Sequence, residues 1–298
     1  MNRRHFIQSL AALAAAPACA ADTAWKLNYM LASSMYGNLS LAEILPEVKK
    51  TGATGIELWP KKHGTQREEL DAIGHEKFVA MLKESGVSFG GTTRYDLGPF
   101  KLTEEISVVN KLGGNFIVTG GAGEYKVSPE QLKLNVKDFV EKMKPHAEVA
   151  AKNGVVIAIE NHINNLIDTP DSLLWLADYV RDVAGLGIAL APYHLPQDTA
   201  QLSSLIRHCD RKLTLFYAWE HGQGCMKPMP KAEELQQMPG RGPLDWKPLL
   251  TALRDIKFTG PTEIFMHPTP RGIPILPTAA ETTAEIIRAK QHLDSLIA

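Results

Sequence analysis

The amino-acid sequence predicts a single-domain α/β fold, a closed (β/α)8 barrel in which eight parallel strands alternate with eight helices. The first observation behind this prediction is a repeated unit: a helical stretch ends at a glycine, and a short apolar run follows at once. Glycine is favoured just past a helix end because it adopts the left-handed conformation that other residues resist. The second observation is that the apolar runs are continuous, which is typical of parallel strands buried on both faces. Eight such units in roughly 275 residues suit a closed barrel.

The predicted strands follow one another at regular intervals along the chain. Six of them come directly after a helix-ending glycine, at Gly52, Gly86, Gly114, Gly154, Gly185 and Gly260. The complete set is predicted at residues 26–33, 54–59, 87–90, 115–119, 155–160, 186–190, 213–220 and 262–266. An open doubly wound sheet is the alternative, and the lack of a GxGxxG motif after the first strand disfavours it.

Capping signals and apolar spacing predict the helices between the strands. An i, i+3, i+4, i+7 stripe predicts the first helix, at Leu41, Ile44, Leu45 and Val48. Helix starts of the capping-box or first-turn proline type are predicted at Ser40–Glu43, Ser128–Gln131, Thr169–Pro170 and Thr278–Glu281. The glycine-rich run Gly120–Gly123 follows the fourth strand, and we interpret it as a tight loop rather than a phosphate cradle. An elaborated loop is predicted at His221–Gly242.

The composition excludes several classes of protein. The chain has 298 residues, of which 44% are hydrophobic, and this is too apolar for a disordered protein. Its 32 basic and 33 acidic residues balance, so neither nucleic acid nor anionic lipid is a predicted partner. Three cysteines without CxxC spacing argue against a disulfide scaffold and a thiolate zinc site. Whether Cys209 and Cys225 pair is left open.

The first twenty residues have the pattern of a cleavable signal peptide. Arg3-Arg4 precedes an apolar stretch at Leu10–Ala18, and Ala18-Cys19-Ala20 offers the small residues of a cleavage site. The stretch is too short to span a bilayer. Adjacent arginines followed by Phe6-Ile7 favour twin-arginine export, with an ordinary Sec signal as the alternative. We therefore expect residues 21–298 to form a barrel in the periplasm or outside the cell.

Residues suited to binding and proton transfer concentrate just at or after the strand ends. In a parallel barrel the active site lies at the carboxyl ends of the strands. The candidates there are Glu57, Trp59, Lys61, His63, Arg94, Glu160, His162, His194, Trp219, His221, His267 and Arg271. Each of them alone has a structural explanation, but their concentration at one end of the barrel predicts a site. Glu160 and His162 are two apart and point to the same side, which suits metal binding or proton transfer.

Four stretches of the sequence resemble the xylose isomerase-like TIM-barrel superfamily, the sugar phosphate isomerase and epimerase group. They are Gly55–Trp59, Gly154–His162, Gly187–His194 and Pro239–Trp246. The resemblance covers nearly all of the chain that follows the signal. It implies a TIM barrel, a small carbohydrate substrate and, because the family often dimerises, a homodimer.

The resemblance also implies one divalent metal, held by Glu, Asp, His and Glu on the fifth to eighth strands. Glu160 matches the first of these positions, whereas the others fall on Ala191, about Tyr217 and His267. Two alternatives follow. The site is rebuilt for zinc, manganese or cobalt from Glu160, His162, His194 and His267, since a nitrogen-rich set favours transition metals. Or the metal is lost, and acid–base residues act alone.

The expected reaction is isomerisation or epimerisation of a sugar or keto-sugar, with Glu160 as base and His267 as its partner. A lyase acting on an oxidised glycoside begins with the same proton abstraction and is the first alternative. A non-catalytic carbohydrate-binding barrel that has lost its metal is the second.

The remaining candidates are expected to bind the substrate. Lys61, Arg94 or Arg271 would stabilise the charge of an enediolate oxygen. Trp59 and Trp219 would offer flat faces to a sugar ring. The predicted substrate-binding set is completed by Glu57 and His221.

Overall fold

Eight parallel strands close into a barrel in chain order, as predicted from the repeated glycine-and-apolar unit. A computed structural model describes residues 25–221 and 227–297. The strands are Asn28–Ala32 (β1), Gly55–Leu58 (β2), Ser88–Thr93 (β3), Phe116–Gly120 (β4), Val156–Glu160 (β5), Leu186–Leu190 (β6), Leu213–Ala218 (β7) and Pro261–Ile264 (β8). Tyr29 of β1 pairs with Thr262 of β8, and this pairing closes the ring. The closed barrel is confirmed, and the open doubly wound alternative is wrong.

Helices surround the barrel, and the described ranges contain ten of them rather than the eight predicted. They are Leu41–Thr51 (α1), Gln66–Ile73 (α2), His75–Ser85 (α3), Thr103–Lys111 (α4), Pro129–Lys152 (α5), Pro170–Val180 (α6), Thr199–Cys209 (α7), Lys231–Glu234 (α8), Trp246–Asp255 (α9) and Ala279–Ile297 (α10). The two extra helices have separate origins. Gly74 has a φ of 82° and divides the segment after β2 into α2 and α3, and the loop after β7 contains the short α8.

The helix starts confirm the predicted capping. The backbone N–H of Ser40 donates to Glu43 Oε2 at 2.9 Å, and that of Thr278 donates to Glu281 Oε2 at 3.0 Å. The Ser128 side chain accepts from the Gln131 backbone at 3.3 Å. These bonds satisfy N–H groups that a helix start would otherwise leave unpaired.

The predicted role of glycine at helix ends is wrong at two positions. Gly113 takes the left-handed conformation instead of Gly114, and Lys257 takes it instead of Gly260. Gly114 and Gly260 are required instead because another backbone segment passes close to each of them. A Cβ added at Gly114 would lie 2.8 Å from the Gly90 carbonyl oxygen, and one added at Gly260 would lie 2.5 Å from the Thr214 carbonyl oxygen. The backbone spacing around β3, β4 and β7 depends on these contacts.

Some of the sequence predictions lie outside the described residues. These are the signal peptide at residues 1–20, with the small residues Ala18-Cys19-Ala20 of its cleavage site, and Cys225. Cys209 is buried at the end of α7, and because Cys225 lies outside the described residues, their pairing stays an open prediction. No helix within the described ranges combines the length and apolar character needed to cross a membrane.

Candidate active site

A cavity of about 570 Å³ lies at the carboxyl ends of the strands, where the barrel rule places an active site. The structure brings seven of the predicted site residues together on its wall: Trp59, Lys61, His63, Glu160, His162, Trp219 and His267. Lys62, Tyr95 and Asp96, which the sequence analysis did not single out, also line it. The loops after β2, β3, β5, β7 and β8 therefore contribute to one site.

Glu160, the last residue of β5, is the best-placed acid–base group of the cavity. Only 3% of it is exposed, and its Oε2 accepts a hydrogen bond of 2.9 Å from the Tyr95 hydroxyl. Burial raises the pKa of Glu160 to about 8, with a further increase from the charge of Glu57, while the Tyr95 hydrogen bond lowers it. A carboxyl whose pKa lies near neutrality can both accept and donate a proton under ordinary conditions.

Four histidines form two close pairs around this carboxyl. The rings of His162 and His194 are 4.0 Å apart between centroids, and those of His63 and His267 are 4.3 Å apart. Burial is the main cause that lowers the pKa of all four, and the pKa of His63 falls to about 4. The imidazoles are therefore neutral near pH 7. The 3.9 Å contact between His194 Nε2 and Glu160 Oε1 is accordingly not an ion pair.

The neutral imidazoles leave hydrogen-bonding atoms available for a ligand. His162 Nδ1 lies 2.7 Å from the Ile163 carbonyl and donates to it, so Nε2 is the acceptor nitrogen. Within the described ranges, both ring nitrogens of His194 and Nδ1 of His267 have no hydrogen-bond partner. Buried polar atoms of this kind are usually satisfied, so a bound molecule or water is the expected partner.

Trp59 and Trp219 form walls of the cavity and are held by their ring nitrogens. Trp59 Nε1 donates to Glu57 Oε2 at 2.5 Å, and Trp219 Nε1 donates to Gln237 Oε1 at 2.9 Å. Trp219 also stacks on Tyr193 with a centroid distance of 4.0 Å. Since only 4% of Trp59 and 1% of Trp219 is exposed, little ring surface faces the cavity. Their predicted role as platforms for a sugar ring stays a prediction.

Gln237 is a residue of the site that the sequence analysis missed. Its Oε1 accepts from the backbone N–H of His267 at 3.2 Å, and its Nε2 donates to the His267 carbonyl at 3.0 Å. The same Oε1 holds Trp219, so one buried amide fixes two residues of the cavity wall. Gln237 lies in the irregular stretch after β7, where no periodic pattern predicts which side chain turns inward.

Tyr95 was also missed, and Arg94 was predicted in its place. Successive side chains of a strand point to opposite faces, and the alternation continues past the end of β3. Thr93 points into the barrel, as does Tyr95. The Arg94 guanidinium instead binds Glu105 at 2.5 Å and Asp96 at 2.8 Å, on the side of α4. Applying the alternation to β3 would have identified Tyr95.

Glu57 lies inside the barrel, one step deeper than Trp59. It accepts hydrogen bonds from Trp59 and, at 2.6 Å, from the Thr93 hydroxyl. Burial raises its pKa to about 7, and burial beside Glu57 raises the pKa of Glu263 on β8 well above its usual range. Because two adjacent buried carboxylates repel, the pair retains a proton at neutral pH. Direct contact of Glu57 with substrate stays a prediction.

Positive charge reaches the site from two sides. Lys61 and Lys62 lie on the cavity wall. Arg271 donates to the Pro268 carbonyl at 2.7 Å, and its charge contributes to lowering the pKa of all four histidines. His221 sits beside Tyr193, with Nδ1 3.2 Å from the Tyr193 carbonyl oxygen.

The predicted metal ligands lie near one another but are not arranged as a metal site. Among residues 25–221 and 227–297, no group of three or more His, Cys, Asp or Glu side chains is placed to hold a metal ion. One oxygen of Glu160 accepts from Tyr95, and Nδ1 of His162 is engaged by a backbone carbonyl. Ala191, at the strand-six position, has no ligand atom. The residues as arranged do not fit the metal, so no step below is assigned to one, and a rebuilt site stays a prediction.

Comparison with known proteins agrees with this fold. The family model described as xylose isomerase-like TIM barrel matches residues 45–290. No curated protein sequence matches the chain significantly.

Several solved structures share the fold at low sequence identity. The IolI protein with a bound zinc atom has a TM-score of 0.71 at 16% identity, covering 90% of this chain and 99% of that one. D-psicose 3-epimerase with D-tagatose, from Clostridium cellulolyticum H10, has a TM-score of 0.66 at 17% identity, covering 91% and 99%. The 3-keto-D-glucoside 4-epimerase YcjR from E. coli has a TM-score of 0.64 at 18% identity, covering 91% and 99%.

Proposed function

Because the chain belongs to the xylose isomerase-like TIM-barrel family, we propose that it is an isomerase or epimerase of a small keto-sugar. The observation that carries this proposal is the Glu160 carboxyl, buried on the wall of the cavity and with a pKa raised to about 8. Such a carboxyl suits removal of a proton from the carbon beside a carbonyl group. The epimerases among the solved structures of the same fold support the same class of substrate.

In the proposed first step the Glu160 carboxylate removes the proton from that carbon. The electron pair of the broken C–H bond forms the carbon–carbon double bond of an enediolate, and the carbonyl electrons move to oxygen. Tyr95 holds the carboxyl in position through its hydrogen bond of 2.9 Å. Charges of Lys61 and Lys62 on the cavity wall and of Arg271 nearby stabilise the enediolate oxygen.

In the proposed second step the proton returns to carbon. If Glu160 delivers it to the neighbouring carbon, the product is an isomer with the carbonyl moved by one position. If a second donor delivers a proton to the original carbon from the opposite face, the product is an epimer. His267 is the partner in the first route: its neutral imidazole moves a proton between the two enediol oxygens, a task for which a lowered pKa is suited.

Solvent deuterium exchange tests the proposal. The purified protein is incubated in D₂O with D-tagatose, D-psicose, D-fructose, L-ribulose and a 3-keto-D-glucoside, and the products are followed by NMR. Deuterium beside the carbonyl of at least one sugar is expected, together with conversion to an isomer or epimer. Loss of the glycosidic substituent would identify the lyase alternative. Sugar binding without exchange would support a binding barrel and contradict the enzyme.

A matched pair of variants ties the exchange to the cavity. Glu160→Gln keeps the shape of the side chain and removes its basicity, so exchange should fall by roughly 10²–10⁴-fold. Glu141→Gln is the control, because Glu141 lies exposed on α5 in an ion pair with Lys144. Its exchange rate should equal that of the wild type.

A further inference from the structure

A second cavity of about 370 Å³ adjoins the candidate active site across the loop between β5 and α6. Asn164, in the left-handed conformation with a φ of 58°, lines both cavities. The volume falls within the range of roughly 300–1,000 Å³ that is usual for small-molecule sites. The proposed reaction uses no residue that lines this second cavity.

The wall of the second cavity has the chemistry of a sugar-binding surface. Tyr125 and Trp175 contribute half-buried aromatic rings, and Asp168 and Asp171 contribute carboxylates. Aromatic rings pack against the apolar face of a pyranose, and carboxylates accept hydrogen bonds from its hydroxyl groups. Two acidic side chains line the cavity with one basic side chain, Lys126, so a neutral polyol fits better than an anion.

The loop that separates the cavities is held firmly at both ends. The His162 backbone N–H donates to the Ile167 carbonyl at 2.8 Å, and Asn161 makes two hydrogen bonds of 2.9 Å with the backbone of Ala191. Leu166 is buried and packs on the glycine-rich run after β4, where a Cβ at Gly121 would meet it at 3.3 Å. The run is thus part of the support of this loop.

The same short loop therefore presents side chains to both cavities. His162 faces the active-site cavity. Asn164, four residues past the end of β5, borders both cavities, and Asp168 lies in the second cavity just before α6. A ligand that occupied both cavities would be oriented by one rigid segment. Its first ring would then be positioned against Glu160 by contacts that its second ring makes.

We propose that the second cavity is a subsite for the second sugar ring of a glycoside, whose keto-bearing ring occupies the active-site cavity. This inference rests on the proposed function and specifies its substrate class: a substituted keto-sugar rather than a free monosaccharide. Trp175 and Tyr125 are its specificity-determining residues, and Asp168 and Asp171 bind the hydroxyl groups.

The test compares substrates that differ only in the second ring. The probes are 3-keto-D-glucose and the 3-keto derivatives of maltose, cellobiose and trehalose. The wild type should have a higher kcat/KM for at least one disaccharide than for the monosaccharide. Trp175→Ala should lower the ratio of kcat/KM for that disaccharide to kcat/KM for the monosaccharide about tenfold, as expected for one lost aromatic contact. The control is Trp25→Ala, because Trp25 precedes β1 and lies at the opposite end of the barrel. Its ratio should match that of the wild type.

Direct binding separates failure of the subsite from failure of the proposed function. Calorimetric titration of the Glu160→Gln variant measures affinity for the same sugars without turnover. If the wild type turns over monosaccharide and disaccharide with a ratio that Trp175→Ala does not change, the subsite is refuted and the proposed function stands. The other outcome is that no sugar reacts, but the disaccharide binds about tenfold more weakly to the double variant Glu160→Gln/Trp175→Ala than to Glu160→Gln. In that case the subsite stands and the proposed function fails. Equal affinity of all variants for all the sugars overturns the subsite.

Discussion

The raised pKa of Glu160 predicts quantitatively how the rate of the reaction depends on pH. With a pKa of about 8, Glu160 is ionised in roughly one molecule in ten at pH 7. Since the ionised form is the base, the rate should rise with pH and reach half of its maximum near pH 8. Below that pH the carboxyl is protonated and the rate should fall about tenfold per pH unit.

Removing the Tyr95 hydroxyl should move this profile in a defined direction. The hydroxyl donates to Glu160 and stabilises the carboxylate, so it lowers the pKa. A hydrogen bond to a charged group contributes about 1.5–3 kcal/mol, and one pKa unit corresponds to about 1.4 kcal/mol. Tyr95→Phe should therefore raise the midpoint by about one unit or more and reduce the rate at pH 7 about tenfold.

The assay is the initial rate of solvent deuterium exchange measured from pH 6 to pH 10. Tyr179→Phe, a half-buried tyrosine on α6, serves as the control and should keep the wild-type midpoint. At high pH the Tyr95→Phe rate should approach that of the wild type. A profile with an unchanged midpoint and a lower plateau would refute this reasoning, because it would mean that Tyr95 acts through packing alone.

Four further predictions concern stability, positioning, metal and export. The pKa of the buried Glu263 is raised well above its usual range, so this carboxyl stabilises the fold at acidic pH and loses that contribution as pH rises, whereas the buried histidines act in the opposite direction. The free energy of unfolding of the wild type minus that of Glu263→Gln, measured by urea titration, should therefore fall as pH rises from 4.5 to 7, and a difference independent of pH would contradict this. Gln237→Leu should lower the free energy of unfolding by about 1–3 kcal/mol and reduce kcat, whereas exposed Gln201→Leu should do neither. Dialysis against a chelator should leave exchange intact; activity that is lost and then restored by zinc, manganese or cobalt would show that the ligands rearrange into a site. Replacing Arg3 and Arg4 with lysine should retain the protein in the cytoplasm on fractionation, and undiminished export would indicate a Sec signal.

The barrel was predictable because its signals are local. Glycines at helix ends, capping boxes and continuous apolar runs each depend on a few neighbouring residues, and the number of repeats selects the closed topology. The same logic placed Glu160 and His162 on one wall, since they are two apart at the end of β5. The left-handed positions at Gly113 and Lys257 were not predictable, because close backbone contacts between distant strands determine where glycine is required.

The rest of the site depends on contacts that the sequence does not display. Gln237 comes from an irregular stretch and reaches Trp219 and His267 through the tertiary fold. Glu263 belongs to a four-residue strand, and its inward direction places a second carboxyl beside Glu57. Strand alternation does predict that Tyr95 points into the barrel and that Arg94, despite its charge, points to the helix side, where it binds Glu105 and Asp96.

The central claim is that Glu160 removes a proton from the carbon beside a sugar carbonyl. The most direct measurement is the deuterium-exchange rate of Glu160→Gln relative to the wild type, at pH 8 and with the keto-sugar that the wild type exchanges fastest. We expect a loss of roughly 10²–10⁴-fold with the fold and the sugar affinity retained. Exchange by Glu160→Gln at the wild-type rate would contradict it.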